Sequence, residues 1–223
     1  MSTAERKEKE KAARRTAIAE TAERLFAAKG YDGVAMDDVA REAQLAKGTL
    51  YLYFDNKDSL YFAVAIRGTV ILKDMMARGV AREARGIDKA CAVSVSFYEF
   101  SKQHPFYFRT LSDAMLRCNS AGTSEAARQE LAARNADCTK IAIDAVNAGI
   151  KDGTIDPNAE PLKTAMFLIE ATRAMIRLPL ISVSSGSIRP ARDEVFYFTL
   201  GQLRRAIENR GITPHEGVDS GWI

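Results

Sequence analysis

At 223 residues the chain is long enough for one large domain or two small ones, with a sizeable buried core. Its 47% hydrophobic and 27% charged residues are ordinary for a folded domain, and a net charge of +3 does not by itself argue for a nucleic-acid partner. The charged start, Met1 to Lys7, lacks the apolar stretch of a secretory leader. The most apolar run, Met166 to Val183, is broken by Glu170, Arg173, Arg177 and Pro179, short of the roughly 18 residues a spanning helix needs. A cytoplasmic protein with no membrane contact is the expectation. Cys91, Cys118 and Cys138 fit no disulfide framework or zinc motif, and His104 and His215 are too few for a standard zinc site. Free thiols, no metal and no cofactor are expected. With no Ser/His/Asp or paired-carboxylate pattern, an enzyme is disfavoured.

In chain order, residues 5–15 alternate acid and base, which reads as a solvated helix start or a basic arm. Ile18, Ala22, Leu25 and Phe26 then form an apolar helical stripe that Gly30 should end. Two short helices follow, Met36 to Ala43 and Lys47 to Phe54, with a break at Gln44-Leu45-Ala46. Asn56 reads as the N-cap of a fourth helix, with Asp58 in its first turn, Leu60, Val64, Ile71, Leu72 and Met75 buried, and Gly86 as its stop.

Longer helices come next. They run from Asp88 to Gln103 (Val93, Phe97, Phe100), and from Pro105 to Leu116 (Phe106, Tyr107, Phe108, Leu111, Met115) after a break at His104. Asn119 to Gly122 reads as a loop, and a helix from Ser124 to Gly153 should bury Leu131, Cys138, Ala142 and Ala145. A helix capped by Asn158 should end at Pro179, and one opened by Pro190 should reach Arg210 after a loop at Ser182 to Ser187. No strand-like alternation is sustained, so the expected class is all-α.

Between the two short helices the pattern is that of a helix-turn-helix. Val39, Ala40, Ala43, Leu45, Leu50 and Phe54 make the small inner core, and Lys47, Thr49, Tyr51 and Tyr53 are left outside. Gly48 lets the backbone approach DNA. Lysine suits phosphate or guanine, and the hydroxyls and rings suit phosphates and thymine methyls.

From Ala27 to Leu60 the sequence AAKGYDGVAMDDVAREAQLAKGTLYLYFDNKDSL resembles the DNA-binding signature of the TetR family. The resemblance is carried by Leu25-Phe26, Gly30-Tyr31, Asp38-Val39-Ala40, Ala43, Lys47-Gly48-Thr49-Leu50-Tyr51, Tyr53-Phe54, Lys57 and Leu60. It implies an N-terminal three-helix DNA-binding domain followed by about six helices that bind a ligand and dimerise. The boundaries are then 1–56 for the reading domain (1–12 an arm that need not be ordered), 57–212 for the second domain and 213–223 for a tail. It implies that Lys47 and Gly48 approach base edges and phosphate. Thr49, Tyr51 and Leu52 face bases or sugar, and Tyr53 and Lys57 clamp the backbone.

The chain departs from that pattern at Gln44, where the family has glycine, and at the caps Ala46 and Ala35, where it has serine or threonine. A left-handed Gln44 costs about 1 kcal/mol, and each missing cap about 0.5–2 kcal/mol, so a soft reading unit is expected. Residues 1–60 hold eleven basic and eleven acidic side chains, so DNA affinity has to come from placement.

In the second domain the aromatic and methionine cluster at helical spacing reads either as ordinary core or, through the family resemblance, as a pocket for a largely apolar effector, with Phe97, Phe100, His104, Tyr107, Leu111, Cys138, Ile169 and Arg173 as its candidates. Arg173 has two further readings, pairing with Glu170 or with Asp144. The homodimer is expected to use Leu162, Met166 and Ile169 against Phe196, Leu200, Gly201, Leu203 and Ile207, in a two-fold four-helix bundle. The function implied is a repressor that binds a palindromic operator in double-stranded DNA and is released by a small molecule. The alternative is a ligand-independent, nucleoid-type DNA-binding protein.

Overall fold

The computed structural model describes residues 2–117, 125–177 and 192–211. Cys118, the Asn119–Gly122 loop, Ser124, Pro179, the Ser182–Ser187 loop, Pro190, His215 and Trp222 lie outside them. The described residues form an all-α protein. Its helices are α1 (Thr3–Lys29), α2 (Met36–Glu42), α3 (Lys47–Tyr51), α4 (Lys57–Ala81), α5 (Gly86–Gln103), α6 (Pro105–Arg117), α7 (Glu125–Lys151), α8 (Pro161–Arg177) and α9 (Arg192–Ile207). The described parts of Met1–Asp74 and Phe100–Cys138 pack as one compact unit, and those of Met75–Glu99 and Thr139–Ile223 as a second.

In the first unit, α1 starts at a capping box in which Ser2 accepts from the Glu5 amide and Glu5 accepts from the Ser2 amide. Residues 3–12 are therefore a solvated helical start. The core begins at Ile18 and joins Ala22, Phe26, Val39, Ala40, Leu50, Phe54, Leu60 and Val64. Gly30 ends α1 at φ 72°. Helix α2 closes in a Schellman motif, with the Leu45 amide donating to the Ala40 carbonyl at 2.8 Å and the Gln44 amide to Arg41 at 3.1 Å.

That motif requires a left-handed residue, and Gln44 supplies it at φ 54°. Gln44→Gly is therefore expected to stabilise the unit by about 1 kcal/mol and to raise amide protection in α2 and α3, as read by hydrogen exchange. Unchanged protection would show that the strain is relieved elsewhere.

Helix α3 ends at Tyr51, not Phe54. The Leu52 and Tyr53 amides turn back onto Thr49 and Leu50 at 3.2 and 3.0 Å, tightening the chain so that Phe54 drops into the core. Asn56 caps α4 through the Ser59 amide at 2.8 Å. Farther along α4, Met76 is buried where the sequence points to Met75, and Met75 and Ile71 are half-buried.

In the second unit Gly86 does not stop α4, which ends at Ala81. It opens α5, with its amide on Asp152 Oδ2 at 2.6 Å and the Ile87 amide on Thr154 Oγ1 at 3.0 Å. A Cβ on Gly86 would lie 1.9 Å from the Gly149 backbone nitrogen, so close helix packing rather than backbone conformation demands glycine here. Asn158 is not the cap of α8. It sits in a turn closed on Asp156, and Pro161 takes the first helical position, where no amide is missed. Helix α9 ends at Ile207 rather than Arg210, because its exit pairs with the segment after α7. The Asp156 amide donates to Ile207 O at 3.0 Å and the Asn209 amide to Thr154 O at 3.1 Å.

Candidate nucleic-acid interface

The reading helix stands on a buried base. Leu50 and Phe54 are 0% and 1% exposed, while Tyr51 and Leu52 are 41% and 78% exposed. Lys47 and Gly48 are exposed, and Thr49 and Tyr53 are half-buried, Tyr53 against the core. A leucine that exposed, beside a tyrosine and a lysine, is an outer surface with apolar, hydroxyl and cationic groups. A Cβ on Gly48 would meet nothing within 4 Å, so the open backbone there serves approach from outside rather than internal packing.

Neither helix of the motif has a side-chain cap from Ala35 or Ala46. Asp38 replaces half of one by accepting the Ala35 amide at 3.0 Å, and that bond, with Arg41 alongside, holds its carboxyl below the usual range. Asp37 pairs with Lys47 at 2.8 Å, which raises the lysine's pKa. A cation at the first position of α3 opposes the helix dipole, and Asp37 offsets it. Lys57 is not simply solvated. Its ammonium donates to Tyr31 O at 3.1 Å and lies 4.1 Å from the centre of the Tyr31 ring, with the Arg117 guanidinium 3.9 Å from the same ring centre. Burial, with the hydrogen bond to Asp58, raises the Tyr31 hydroxyl pKa well above its ordinary value.

The same unit docks α6 against these helices. Tyr107 donates to Glu23 at 2.6 Å, and Glu23 also takes the Arg67 guanidinium at 2.8 Å. Near the other end of α6, Tyr61 donates to Asp113 at 3.2 Å. The residues expected in an effector pocket divide between the units. In the first, Phe100 and Leu111 are buried, and His104 lies 5.7 and 6.3 Å from the Phe100 and Tyr107 rings. Cys138 is buried with its thiol 3.9 Å from Thr69 O, and burial pushes its pKa up to about 11. In the second, Arg173 pairs with Glu170 at 2.6 Å and lies 5.6 Å from the centre of the Phe97 ring, and Ile169 is half-buried.

The dimer stripe expected on α9 needs revision. Phe196, Leu203 and Ile207 are buried inside the protomer, Phe196 stacked on Tyr98 at 3.9 Å, so they present no surface to a partner. The apolar groups left exposed are Tyr197 and Phe198 on α9 and Leu162, Met166 and Phe167 on α8, with Leu200 and Gly201 half-exposed. Sequence periodicity finds the most apolar face of α9 and cannot tell that a neighbouring helix of the same chain already covers it.

A helix-turn-helix on a buried three-helix base, followed by longer helices, defines the class of helix-turn-helix regulators. Residues 18–64 match the profile of bacterial regulatory proteins of the tetR family. That segment, about a fifth of the chain, thus carries a DNA-binding region of the TetR type. The chain is 46% identical over 44 residues to the biofilm operon icaADBC negative transcriptional regulator IcaR of Staphylococcus aureus (strain Newman), 20% of this chain and 24% of that protein. It is 41% identical over 58 residues to the HTH-type regulator YuxN of Bacillus subtilis (strain 168), 26% of this chain and 18% of that protein. The match thus spans about a fifth to a quarter of these relatives' length.

Two solved structures are similar over nearly the whole chain. FadR of Bacillus subtilis in complex with stearoyl-CoA aligns at TM-score 0.62 and 15% identity, over 89% of this chain and 99% of that one. AibR in complex with isovaleryl coenzyme A and operator DNA aligns at TM-score 0.59 and 19% identity, over 85% and 97%. At these identities the likeness establishes a shared fold.

Proposed function

We propose that this protein is a transcriptional repressor that binds a palindromic operator as a homodimer and leaves it when a small molecule binds. The observation that carries the DNA-binding part is the exposed set Lys47, Gly48, Tyr51 and Leu52 standing on buried Leu50 and Phe54. In this reading Tyr51 and Leu52 offer a ring and methyls to thymine, Thr49 a hydroxyl to bases or sugar, and Lys47 a charge to phosphate or guanine. Tyr53 and Lys57 hold the backbone at the start of α4, where free amides favour an anion. Two-fold pairing through Leu162, Met166, Tyr197 and Phe198, with Leu200 and Gly201 at the crossing, would set two reading heads about 34–36 Å apart.

Release requires an effector that binds the DNA-incompetent arrangement more tightly. Helix α6, tied to α1 and α4 through Tyr107, Glu23 and Arg67, is the element by which a shift reaches the reading unit. FadR and AibR are each in complex with an acyl-CoA, so coenzyme A thioesters are the first effector class to try. A footprint of the purified protein on DNA upstream of its own gene should show a protected palindrome that a graded series of acyl-CoAs weakens. Absence of any protected palindrome there and in a genomic selection would overturn the repressor reading. Protection that is strongly salt-dependent yet unselective for sequence would favour the nucleoid-type alternative.

A further inference from the structure

The N-terminal half of α1 is a second basic surface. The helix starts at the Ser2–Glu5 capping box, yet its first buried residue is Ile18, so roughly 20 Å of continuous helix precedes the core. Because the helix is unbroken, its phase is set by the core. Lys7, Lys11 and Arg14 stand at i, i+4 and i+7 and Ile18 at i+11, so the three cations continue the face that α1 turns inward onto the reading unit. All three are exposed and have no ion-pair partner among the described residues.

The acids of this half lie off that line or are occupied: Glu10 pairs with Arg6 at 3.5 Å, and Glu5 takes the Ser2 amide. The next cation, Arg15, lies 4.9 Å from the centre of the Phe54 ring and pairs with Glu130 at 3.8 Å. The stripe therefore begins beside the turn that follows the reading helix.

We infer that the Lys7–Lys11–Arg14 stripe binds the DNA backbone, placed to hold phosphates flanking the bases that α3 reads. This inference rests on the DNA-binding reading above. Sequence-blind phosphate binding of this kind supplies affinity that residues 16–60, with five basic and eight acidic side chains, lack. It adds equally to operator and non-operator binding and leaves base preference to α3.

The test uses the full chain and a 30-base-pair duplex of arbitrary sequence, followed by fluorescence anisotropy from low to moderate salt. The triple variant Lys7→Gln/Lys11→Gln/Arg14→Gln should lower the slope of log K against log salt by about 0.9 for each phosphate no longer neutralised. The same variant should weaken operator and arbitrary DNA by the same factor. Lys9→Gln, on the opposite face, should leave both unchanged. Wild-type slope and affinity in the triple variant, with unchanged helix content, would overturn the stripe while leaving the reading helix intact. A Lys9→Gln loss as large as the per-residue loss on the stripe would also overturn it, since net charge rather than placement would then be responsible. If the wild-type chain binds neither duplex, both this inference and the regulator reading fall.

Discussion

Replacing Lys47 and Tyr51 together by alanine should abolish operator protection while leaving dimerisation and helix content unchanged. Both side chains lie on the exposed face of α3 and contribute nothing to the core beneath it, which is built from Leu50 and Phe54. Substitutions at such positions usually change stability by no more than about 0.5 kcal/mol. Removing a side chain that touches a base or a phosphate costs on the order of 1–3 kcal/mol of binding, and a two-fold dimer pays this at both half-sites. A fall of at least about 100-fold in operator affinity is therefore expected from the pair.

Loss of Lys47 also leaves Asp37 without its partner, but that carboxylate sits in the first turn of α2, where the helix dipole favours it. The variant should therefore elute as wild type in size-exclusion chromatography with light scattering, and it should fail in an anisotropy titration. Operator affinity within a few-fold of wild type would mean that α3 is not the reading helix.

Gly86→Ala is expected to be among the most damaging single-methyl changes in the chain. The added carbon would lie 1.9 Å from the Gly149 nitrogen and 2.1 Å from its Cα, and neither is a side chain that can swing away. The start of α5 would have to move, breaking the bonds from the Gly86 and Ile87 amides to Asp152 and Thr154. Overpacking of this kind costs roughly 1–3 kcal/mol and occasionally more. With backbone on both sides, about 3 kcal/mol is expected, or a Tm lowered by roughly 6–12 °C for a chain of this size. Gly48→Ala is the contrast, since a Cβ there meets nothing within 4 Å. It should melt at or above the wild-type temperature, because alanine favours helix over glycine by up to about 1 kcal/mol. Equal melting of the two variants would show that the α5–α7 packing is looser than its geometry.

The reading unit is legible in the sequence because its signals are local. Gly30 and Gln44 end helices where the backbone must turn left-handed, Asn56 caps α4, and Val39, Ala40, Leu50 and Phe54 fall at helical spacing. Gln44 reads in sequence as a strained substitute for glycine, and it is the one left-handed non-glycine among the described residues. Other positions mislead because their meaning lies in distant residues. Gly86 reads as a helix stop in sequence and is a packing point against Gly149, sixty-three residues on. Asn158 has the composition of a cap and spends its hydrogen bonds on Asp156.

The sequence by itself determined that this is an all-α chain and where its helix-turn-helix lies. It also determined which side of α3 is apolar, because helical period and backbone conformation depend on neighbours a few residues apart. Only the tertiary structure decided which apolar faces remain open. Periodicity measures how apolar a face is, and burial depends on what packs against it. Phe196, Leu203 and Ile207 are closed off within the protomer, and Phe198, Tyr197 and Met166 are left outward. The tertiary structure likewise set the condition of the helix-turn-helix: Lys47 is held by Asp37 and Lys57 by Tyr31, and Lys7, Lys11 and Arg14 stand in line with buried Ile18 on an unbroken α1.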